Sequence, residues 1–134
     1  MFERTADNPM LGVLGIIQDA GRVLMIQRSA TVRVPLAWCF PGGQIEDGES
    51  QEQALVREMQ EEIGVRVEPG RLLMTQTKHD GGLRLFCWSA IIIAGRVTPN
   101  PLEIADARWM TPGEIRRASG VLPGTTAILD AIGL

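Results

Sequence analysis

Three glutamates, Glu58, Glu61 and Glu62, stand three and four residues apart in the stretch GQIEDGESQEQALVREMQEEIGV, residues 43–65. On a helix this spacing places their carboxylates on one arc of about 100°. Like charges so placed cost an isolated helix a few tenths of a kcal/mol per pair, and Arg57 is the only basic residue within 50–63 to offset them. The pattern therefore calls for a cation. Hard divalent ions such as Mg²⁺ prefer oxygen ligands shared with substrate phosphates, so phosphate chemistry is the first hypothesis.

Local signals predict the boundaries of this helix. Ser50 and Gln53 have the spacing of a capping box, and Gly64 is suited to the left-handed position that ends a helix. We therefore predict a helix from Ser50 to Ile63. Its apolar stripe, interpreted as core, consists of Leu55, Val56, Met59 and Ile63.

The same stretch carries a longer motif of fixed spacing. Its polar and glycine positions are Gly43, Glu49, Arg57, Glu58, Glu61, Glu62 and Gly64. In this pattern the chain resembles the Nudix hydrolase family, whose box motif it fills completely. The alternative interpretation is a solvated acidic helix face, with Glu49 serving only the helix dipole and Arg57 forming a surface pair with Glu61.

The resemblance implies an α/β fold, an α/β/α sandwich with a mixed β-sheet, over residues 11–132. It also implies hydrolysis of a phosphoanhydride in a nucleoside diphosphate linked to another group X, which yields a nucleoside monophosphate. Glu58, Glu61 and Glu62 would hold Mg²⁺ or Mn²⁺, with the carbonyl of Gly42 as a further ligand. Such an ion neutralises the diphosphate and activates a water molecule.

The resemblance leaves the general base open between the box helix and a late loop. Glu61 and Glu58 are the helix candidates, with Arg57 orienting a glutamate, and Glu103 in PLEIADARW is the loop candidate. An exposed loop acid without a catalytic role is the alternative for Glu103.

Four residues are candidates for substrate binding. Arg28, at the end of a predicted strand, can reach a phosphate, although strand-end arginines are usually solvated. Trp38 and Phe40 can stack a nucleobase, but we favour core packing for both. Gly43, with Gly42, is predicted to form a sharp turn that lets the backbone approach substrate or ion, because glycine tolerates positive φ.

Other side chains suggest less. Because His79 is the only histidine, a His-based metal cluster is excluded, and the residue is interpreted as a loop residue. Nothing near Cys39 in the sequence marks it as an activated nucleophile.

Composition limits the class of protein. The length of 134 residues and 45% hydrophobic content predict a single domain, residues 1–134, with 1–9 as a flexible N-terminal tail. A net charge of −3 argues against a surface for duplex nucleic acid. Two cysteines and the lack of an export or membrane segment predict a reduced, cytoplasmic protein without a membrane partner. Whether it is a monomer or a homodimer is open.

The order of predicted elements is mixed. Residues 11–18 and 22–27 form a hairpin, and 31–37 is a loop that leads to a Pro41-Gly42-Gly43 turn. After the helix, strands are predicted at 66–77, 83–94 and 107–110. Two short helices follow, one with Pro112 at its first position and one at 125–132.

The substrate is constrained only by absences. The chain lacks tyrosine, which marks the dinucleoside polyphosphate branch, and the NADH-branch signature SQPWPFP, and Lys78-His79-Asp80 lacks the proline of the ADP-ribose branch. The resemblance then favours a nucleoside triphosphate or an oxidised one, although the oxidised-guanine branch often uses a late asparagine and this chain has only Asn8 and Asn100. The alternatives are an ADP-ribose or nucleotide-sugar pyrophosphatase, a noncatalytic nucleotide sensor and a structural interaction module.

Overall fold

The computed structural model describes residues 4–134. This part of the chain forms seven strands and three α-helices. In order they are β1 (Met10–Asp19), β2 (Arg22–Arg28), β3 (Trp38–Cys39), β4 (Gly42–Gln44), α1 (Gln51–Ile63), β5 (Arg66–Lys78), β6 (Leu83–Ala94), β7 (Ile104–Met110), α2 (Pro112–Arg117) and α3 (Thr125–Ala131).

The strands form one mixed sheet, which confirms the predicted fold class. Its main path runs β3-β2-β1-β6-β5, with β4 paired to β1 and β7 paired to β2. Within residues 4–134, β1 and β6 pair in parallel over Met10 to Ile17, whereas the other strand pairs are antiparallel. Because β1 pairs with β2, β4 and β6, it forms the centre of the sheet.

Two apolar cores lie on opposite faces of this sheet. On one face Leu55, Met59 and Ile63 of α1 are fully buried against Val13 and Ile17 of β1. On the other face the core contains Ile16 and Met25 of the sheet and Phe40 between β3 and β4, packed with Ile115 of α2 and with Ile128 and Leu129 of α3. The two layers of helices give the predicted α/β/α sandwich, and the predicted apolar stripe of α1 is core.

Most predicted elements are present; strands β3 and β4 were not predicted, and β7 has a different start. Residues 42–44 form strand β4 instead of a turn, because they pair with Gly12, Val13 and Leu14 of β1. Strand β7 begins at Ile104, three residues before the predicted start, since pairing with β2 continues past a bulge at Arg28. A short 3₁₀ turn, His79–Gly81, lies between β5 and β6.

The amino terminus was predicted to be a flexible tail, residues 1–9. Residues 1–3 of it lie outside the described part of the chain. In the remainder, Thr5 and Asn8 exchange backbone hydrogen bonds across a turn, and the carbonyl of Ala6 accepts from Arg84 at 3.4 Å. The flexibility of this segment stays a prediction.

Length and hydropathy bear on membrane crossing. No helix within residues 4–134 is both long enough and apolar enough to span a bilayer.

Candidate active site

Helix α1 presents the acidic side chains, and its ends are fixed as the sequence predicts. The Ser50 hydroxyl accepts from the Gln53 amide at 3.0 Å, and the Gln53 side chain accepts from the Ser50 amide at 2.9 Å. At the other end Gly64 adopts φ 68° and ψ 23°, and its amide donates to carbonyls of the last turn. The capping box and the left-handed cap hold the helix in register with the strands around it.

Arg57 of this helix forms hydrogen bonds with the carboxylates of Glu49, Glu58 and Glu61. Its Nε and Nη2 donate to the two oxygens of Glu49 at 2.7 and 2.9 Å. Its Nη1 donates to Glu58 at 2.9 Å and to Glu61 at 3.2 Å, while Nη2 also reaches the carbonyl of Gln44 at 2.9 Å. The arginine therefore does more than form the surface pair with Glu61.

The fork between Arg57 and Glu49 changes the charge behaviour of both groups. The hydrogen bond from Arg57 lowers the pKa of Glu49 from 4.5 to about 2, and the Glu46 backbone amide contributes. The same interaction raises the pKa of Arg57. Glu49 is therefore more than a partner of the helix dipole, since it anchors the arginine that touches Glu58 and Glu61.

Glu62 faces inward, away from this arginine. Only 8% of its surface is exposed, and one carboxylate oxygen accepts from the Gly42 amide at 2.9 Å. Burial raises the pKa of Glu62 to about 8; the Gly42 hydrogen bond opposes this shift, and the charges of Glu58 and Glu103 add to it. The bond joins the acidic helix to β4.

The two glycines of β4 are needed for close approach. A Cβ atom on Gly43 would lie 2.3 Å from the Glu58 carboxyl group, and one on Gly42 would lie 2.0 Å from the Val13 carbonyl oxygen. Neither glycine has positive φ, so the reason given from the sequence was wrong. The backbone instead passes directly against β1 and the carboxylate of Glu58.

Glu103 lies on the segment between β6 and β7, close to these carboxylates. The segment is tied to α1, because the Asn100 amide donates to the Glu62 carbonyl at 2.8 Å. The Glu103 side chain is exposed, and its negative charge raises the pKa of both Glu58 and Glu62. The charge of Glu103 therefore acts on two of the three glutamates of α1, Glu58 and Glu62.

The donor set suits a hard divalent ion, although the side chains do not form a closed cage. Within residues 4–134, no three His, Cys, Asp or Glu side chains are grouped so that they could hold a metal. Arg57 alone neutralises parts of Glu49, Glu58 and Glu61, and burial, with the charges of neighbouring carboxylates, raises the pKa of Glu58. This surplus of carboxylate oxygens fits an oxygen-seeking cation that also takes water and phosphate ligands.

Of the residues predicted to bind substrate, Arg28 and Gly43 lie beside the acidic group. Arg28 is half-buried at the end of β2, and its positive charge acts on Glu62 and Cys39. Its Nε donates to the Arg33 carbonyl at 2.6 Å, which fixes its position.

Trp38 and Phe40 point into the opposite face of the sheet. Phe40 is 2% exposed and lies in the core, as the packing interpretation predicts. Trp38 is partly exposed, and the guanidinium carbon of Arg108 lies 5.3 Å from the centre of its ring. Neither aromatic ring faces the carboxylates of α1.

Cys39 and His79 are not candidates for catalytic residues. Burial raises the pKa of the Cys39 thiol to about 11, which opposes a role as nucleophile. His79 is exposed in the 3₁₀ turn before β6, as its interpretation as a loop residue predicts.

Two residues around Glu103 escaped sequence reasoning. Ser29 is 7% exposed and its amide donates to the Glu103 carbonyl at 2.9 Å, whereas Asn100 was considered only for base recognition. The contacts between Ser29 and this segment join residues more than 70 positions apart, so periodicity gives no signal for them. The Pro99-Asn100-Pro101 sequence was the available local hint of a turn, because asparagine and proline both favour turns.

A family comparison agrees with this geometry. The model of the NUDIX domain matches residues 8–128, so the chain belongs to the Nudix family and is a Nudix hydrolase. Members of the family act on nucleoside diphosphate derivatives and generally use a divalent metal.

Individual relatives span several substrates. The chain is 37% identical over 104 residues to the CTP pyrophosphohydrolase of Escherichia coli K12, covering 76% of both chains. It is 46% identical over 67 residues to the 8-oxo-dGTP diphosphatase of Proteus vulgaris, covering 49% of this chain and 59% of that one. The crystal structure of a MutT protein from Methanosarcina mazei Go1 superposes with a TM-score of 0.81 at 18% identity, covering 99% and 96%. That structure supports the fold alone.

Proposed function

We propose that the protein is a metal-dependent nucleoside triphosphate pyrophosphohydrolase, which releases a nucleoside monophosphate and pyrophosphate. The observation that carries the proposal is that Arg57 holds Glu58 and Glu61 while the charge of Glu103 acts on Glu58 and Glu62. The negative charge of these side chains favours a divalent cation, and the cation can in turn bind a polyphosphate. Residues 1–134 would form the single domain that carries this activity.

Cytidine triphosphate is the first substrate to test. The relative that covers 76% of this chain is a CTP pyrophosphohydrolase, and the shorter match at 46% identity is an 8-oxo-dGTP diphosphatase. An oxidised guanine triphosphate is therefore the second candidate. ADP-ribose and nucleotide sugars remain weaker alternatives.

The metal, Mg²⁺ or Mn²⁺, would be held by Glu58, Glu61, Glu62 and the Gly42 carbonyl. When bound, the ion neutralises charge on the polyphosphate and lowers the pKa of coordinated water. Arg57 holds Glu58 and Glu61 on one side of α1, and the Gly42 amide orients Glu62. Arg28 and the backbone at Gly43 border the space left for phosphate groups.

Glu103 is proposed as the general base, with Glu58 and Glu61 as the alternatives. It accepts a proton from the water that attacks phosphorus, while the bond from that phosphorus to the bridging oxygen breaks. Its side chain is exposed and is not held by Arg57, in contrast to Glu58 and Glu61. Because Arg57 does not hold its carboxylate, Glu103 can turn toward a water molecule beside Glu58 and Glu62.

The first experiment measures nucleoside monophosphate release from a panel. The panel contains the common triphosphates, 8-oxo-dGTP, ADP-ribose, NADH and dinucleoside polyphosphates, each with Mg²⁺, Mn²⁺ or EDTA. Turnover of a triphosphate that EDTA abolishes would support the proposal. Nucleotide binding without turnover of any compound would instead favour the noncatalytic sensor.

Variants separate the metal role from the base role. Glu61→Gln is expected to raise the Mg²⁺ concentration needed for half-maximal activity, whereas Glu103→Gln is expected to lower kcat about a hundredfold at an unchanged Mg²⁺ requirement. Glu52→Gln removes one charge from an exposed position of the same helix and serves as the matched control. Wild-type kcat in Glu103→Gln would move the base to the helix.

A further inference from the structure

We infer that Asn100 is a positioning residue that holds the Glu103 segment against the carboxylates of α1. This rests on the proposed function, because it assumes that the Glu103 carboxylate takes part in the reaction. Asn100 does not touch the reacting atoms. It acts through the backbone of the turn that carries Glu103.

The first observation is how this segment is attached to α1. The Thr98 amide donates to the Ile63 carbonyl at 2.8 Å, and the Asn100 amide donates to the Glu62 carbonyl at 2.8 Å. The last carbonyls of a helix have no partners within the helix, so these bonds satisfy groups that would otherwise need water. The Asn100 backbone is therefore hydrogen-bonded directly to Glu62, whose side chain accepts from Gly42 of β4.

The second observation is that Asn100 forms the turn before β7. Its side-chain Oδ1 accepts from the Leu102 amide at 3.1 Å, and its carbonyl accepts from the Glu103 amide at 3.0 Å and the Ile104 amide at 2.8 Å. Three consecutive amides thus end on one residue. The contact from Leu102 to Oδ1 is an Asx turn, for which asparagine and aspartate are suited.

The third observation is an anchor on the other side of the segment. The Ser29 amide, at the end of β2, donates to the Glu103 carbonyl at 2.9 Å, and its hydroxyl donates to the Leu102 carbonyl at 3.4 Å. Ser29 is buried. Glu103 is therefore held between α1 and β2, while its side chain stays exposed toward Glu58 and Glu62.

The turn therefore depends on the side chain of Asn100, whose Oδ1 accepts from the Leu102 amide. Alanine would leave the Leu102 amide without its acceptor and would loosen the turn that positions the Glu103 carboxylate. Aspartate keeps an oxygen at the same position and restores the acceptor. A shift of about 1 Å in a catalytic group can cost up to a hundredfold in rate, so the expected effect lies in kcat.

The test compares Asn100→Ala, Asn100→Asp and Leu102→Ala on the triphosphate that the panel identifies. Asn100→Ala is expected to lower kcat about tenfold, with KM and the Mg²⁺ requirement within about twofold of wild type. Asn100→Asp is expected to recover most of kcat. Leu102→Ala, which changes a 78% exposed side chain in the same turn, is the matched control and should keep wild-type kcat.

A double-mutant cycle with Glu103→Gln shows whether Asn100 acts through Glu103. In the Glu103→Gln background, Asn100→Ala is expected to cause no further loss, because the group that it positions is gone. An equal further loss in that background would overturn the inference, as would wild-type kcat in Asn100→Ala or failure of Asn100→Asp to recover it. If Asn100→Ala does not fold, Ser29→Ala removes the hydroxyl contact to the Leu102 carbonyl while keeping the backbone bond to Glu103, and it must lower kcat with the same non-additivity.

The outcomes also separate this inference from the proposed function. An inactive wild type, or a fully active Glu103→Gln, would contradict the proposed function or its base, and the inference with it. A Glu103→Gln variant of low kcat beside a fully active Asn100→Ala would contradict the positioning role alone.

Discussion

At the scale of single residues, the fork between Arg57 and Glu49 fixes the orientation of the acidic side chains. Two hydrogen bonds of 2.7 and 2.9 Å join the guanidinium to both carboxylate oxygens. A guanidinium matches a carboxylate in this bidentate way, whereas an ammonium group does not. Lysine at position 57 would keep the charge and lose the geometry.

Arg57→Lys is expected to raise the pKa of Glu49 from about 2 toward its ordinary value of 4.5. A depressed pKa stabilises the folded protein above pH 4.5, and this contribution is lost as pH falls toward 2. The variant should therefore unfold at a higher pH than wild type during acid titration. Carboxyl carbon NMR of Glu49 measures the pKa, and Arg116→Lys, which alters an exposed pair with Asp130, is the control. An unchanged Glu49 pKa would contradict the role of the fork.

The buried carboxyl group of Glu62 should make the free energy of unfolding depend on pH with the opposite sign. Because burial raises its pKa to about 8, its contribution to stability is complete below pH 4.5 and is lost as pH rises toward 8. In EDTA, the free energy of unfolding from urea denaturation is expected to fall over this range by the order of 1 kcal/mol or more. Glu62→Gln, which keeps an acceptor for the Gly42 amide, should flatten the curve. The same slope in both proteins would show that Glu62 does not titrate in this range.

At the scale of elements, strand β4 is built for contact on both sides. It pairs with β1 through Val13 and Leu14, and it passes against Glu58 of α1. The two glycines serve different neighbours, since Gly42 lies against rigid backbone and Gly43 against the end of a flexible side chain. Their substitutions therefore have different consequences.

Gly42→Ala is expected to destabilise the fold by about 1–3 kcal/mol, because its Cβ would overlap the Val13 carbonyl. Gly43→Ala is expected to fold, because the Glu58 carboxylate can move aside, and to lose at least tenfold in kcat. Thermal melts and turnover of both variants measure the contrast. Equal losses of stability in the two variants would contradict it, as would full activity in Gly43→Ala.

Elements also show where sequence reasoning succeeds. The limits of α1 follow from Ser50, Gln53 and Gly64, each of which acts on backbone groups within a few residues. The hairpin of β1 and β2 follows from the polar turn between two apolar runs. Strand β4 was missed because its pairing with β1 connects positions about 30 apart, which no local pattern encodes.

The same limit applies to the candidate site. Glu58, Glu61 and Glu62 could be grouped from their spacing on one helix, whereas their relation to Glu103 depends on how the segment before β7 crosses the end of α1. The reach of Arg57 to the Gln44 carbonyl likewise depends on β4 being a strand. Contacts within one element could be predicted, and contacts between elements required the structure.

At the scale of the whole molecule, α1, β4 and the end of β2 meet the segment before β7 at one edge of the sandwich. A ligand that binds carboxylates from several of these elements stabilises the folded state by mass action. Unfolded chains do not hold these groups together, so the gain applies to the native protein.

Mg²⁺ is therefore expected to raise the melting temperature, with a stabilisation of about 2.7 kcal/mol when it is present at 100 times its Kd. The increase should be larger at pH 8 than at pH 6, because the carboxylates must lose their protons to bind. Differential scanning fluorimetry with matched ionic strength in NaCl measures the effect, and Glu61→Gln should weaken it. An increase of equal size with NaCl alone would point to screening.

The parallel pairing of β1 with β6 has a consequence for how the chain acquires its structure. Met10 pairs with Leu83, so β1 can pair with β6 only after a stretch of about 70 further residues has been synthesised. Such distant contacts slow folding, since a long loop must close before they form. During synthesis on the ribosome, β1 keeps an unpaired edge until β6 has emerged. We therefore expect fragments that end before Leu83 to aggregate, and the native sandwich to form only after most of the chain has been translated.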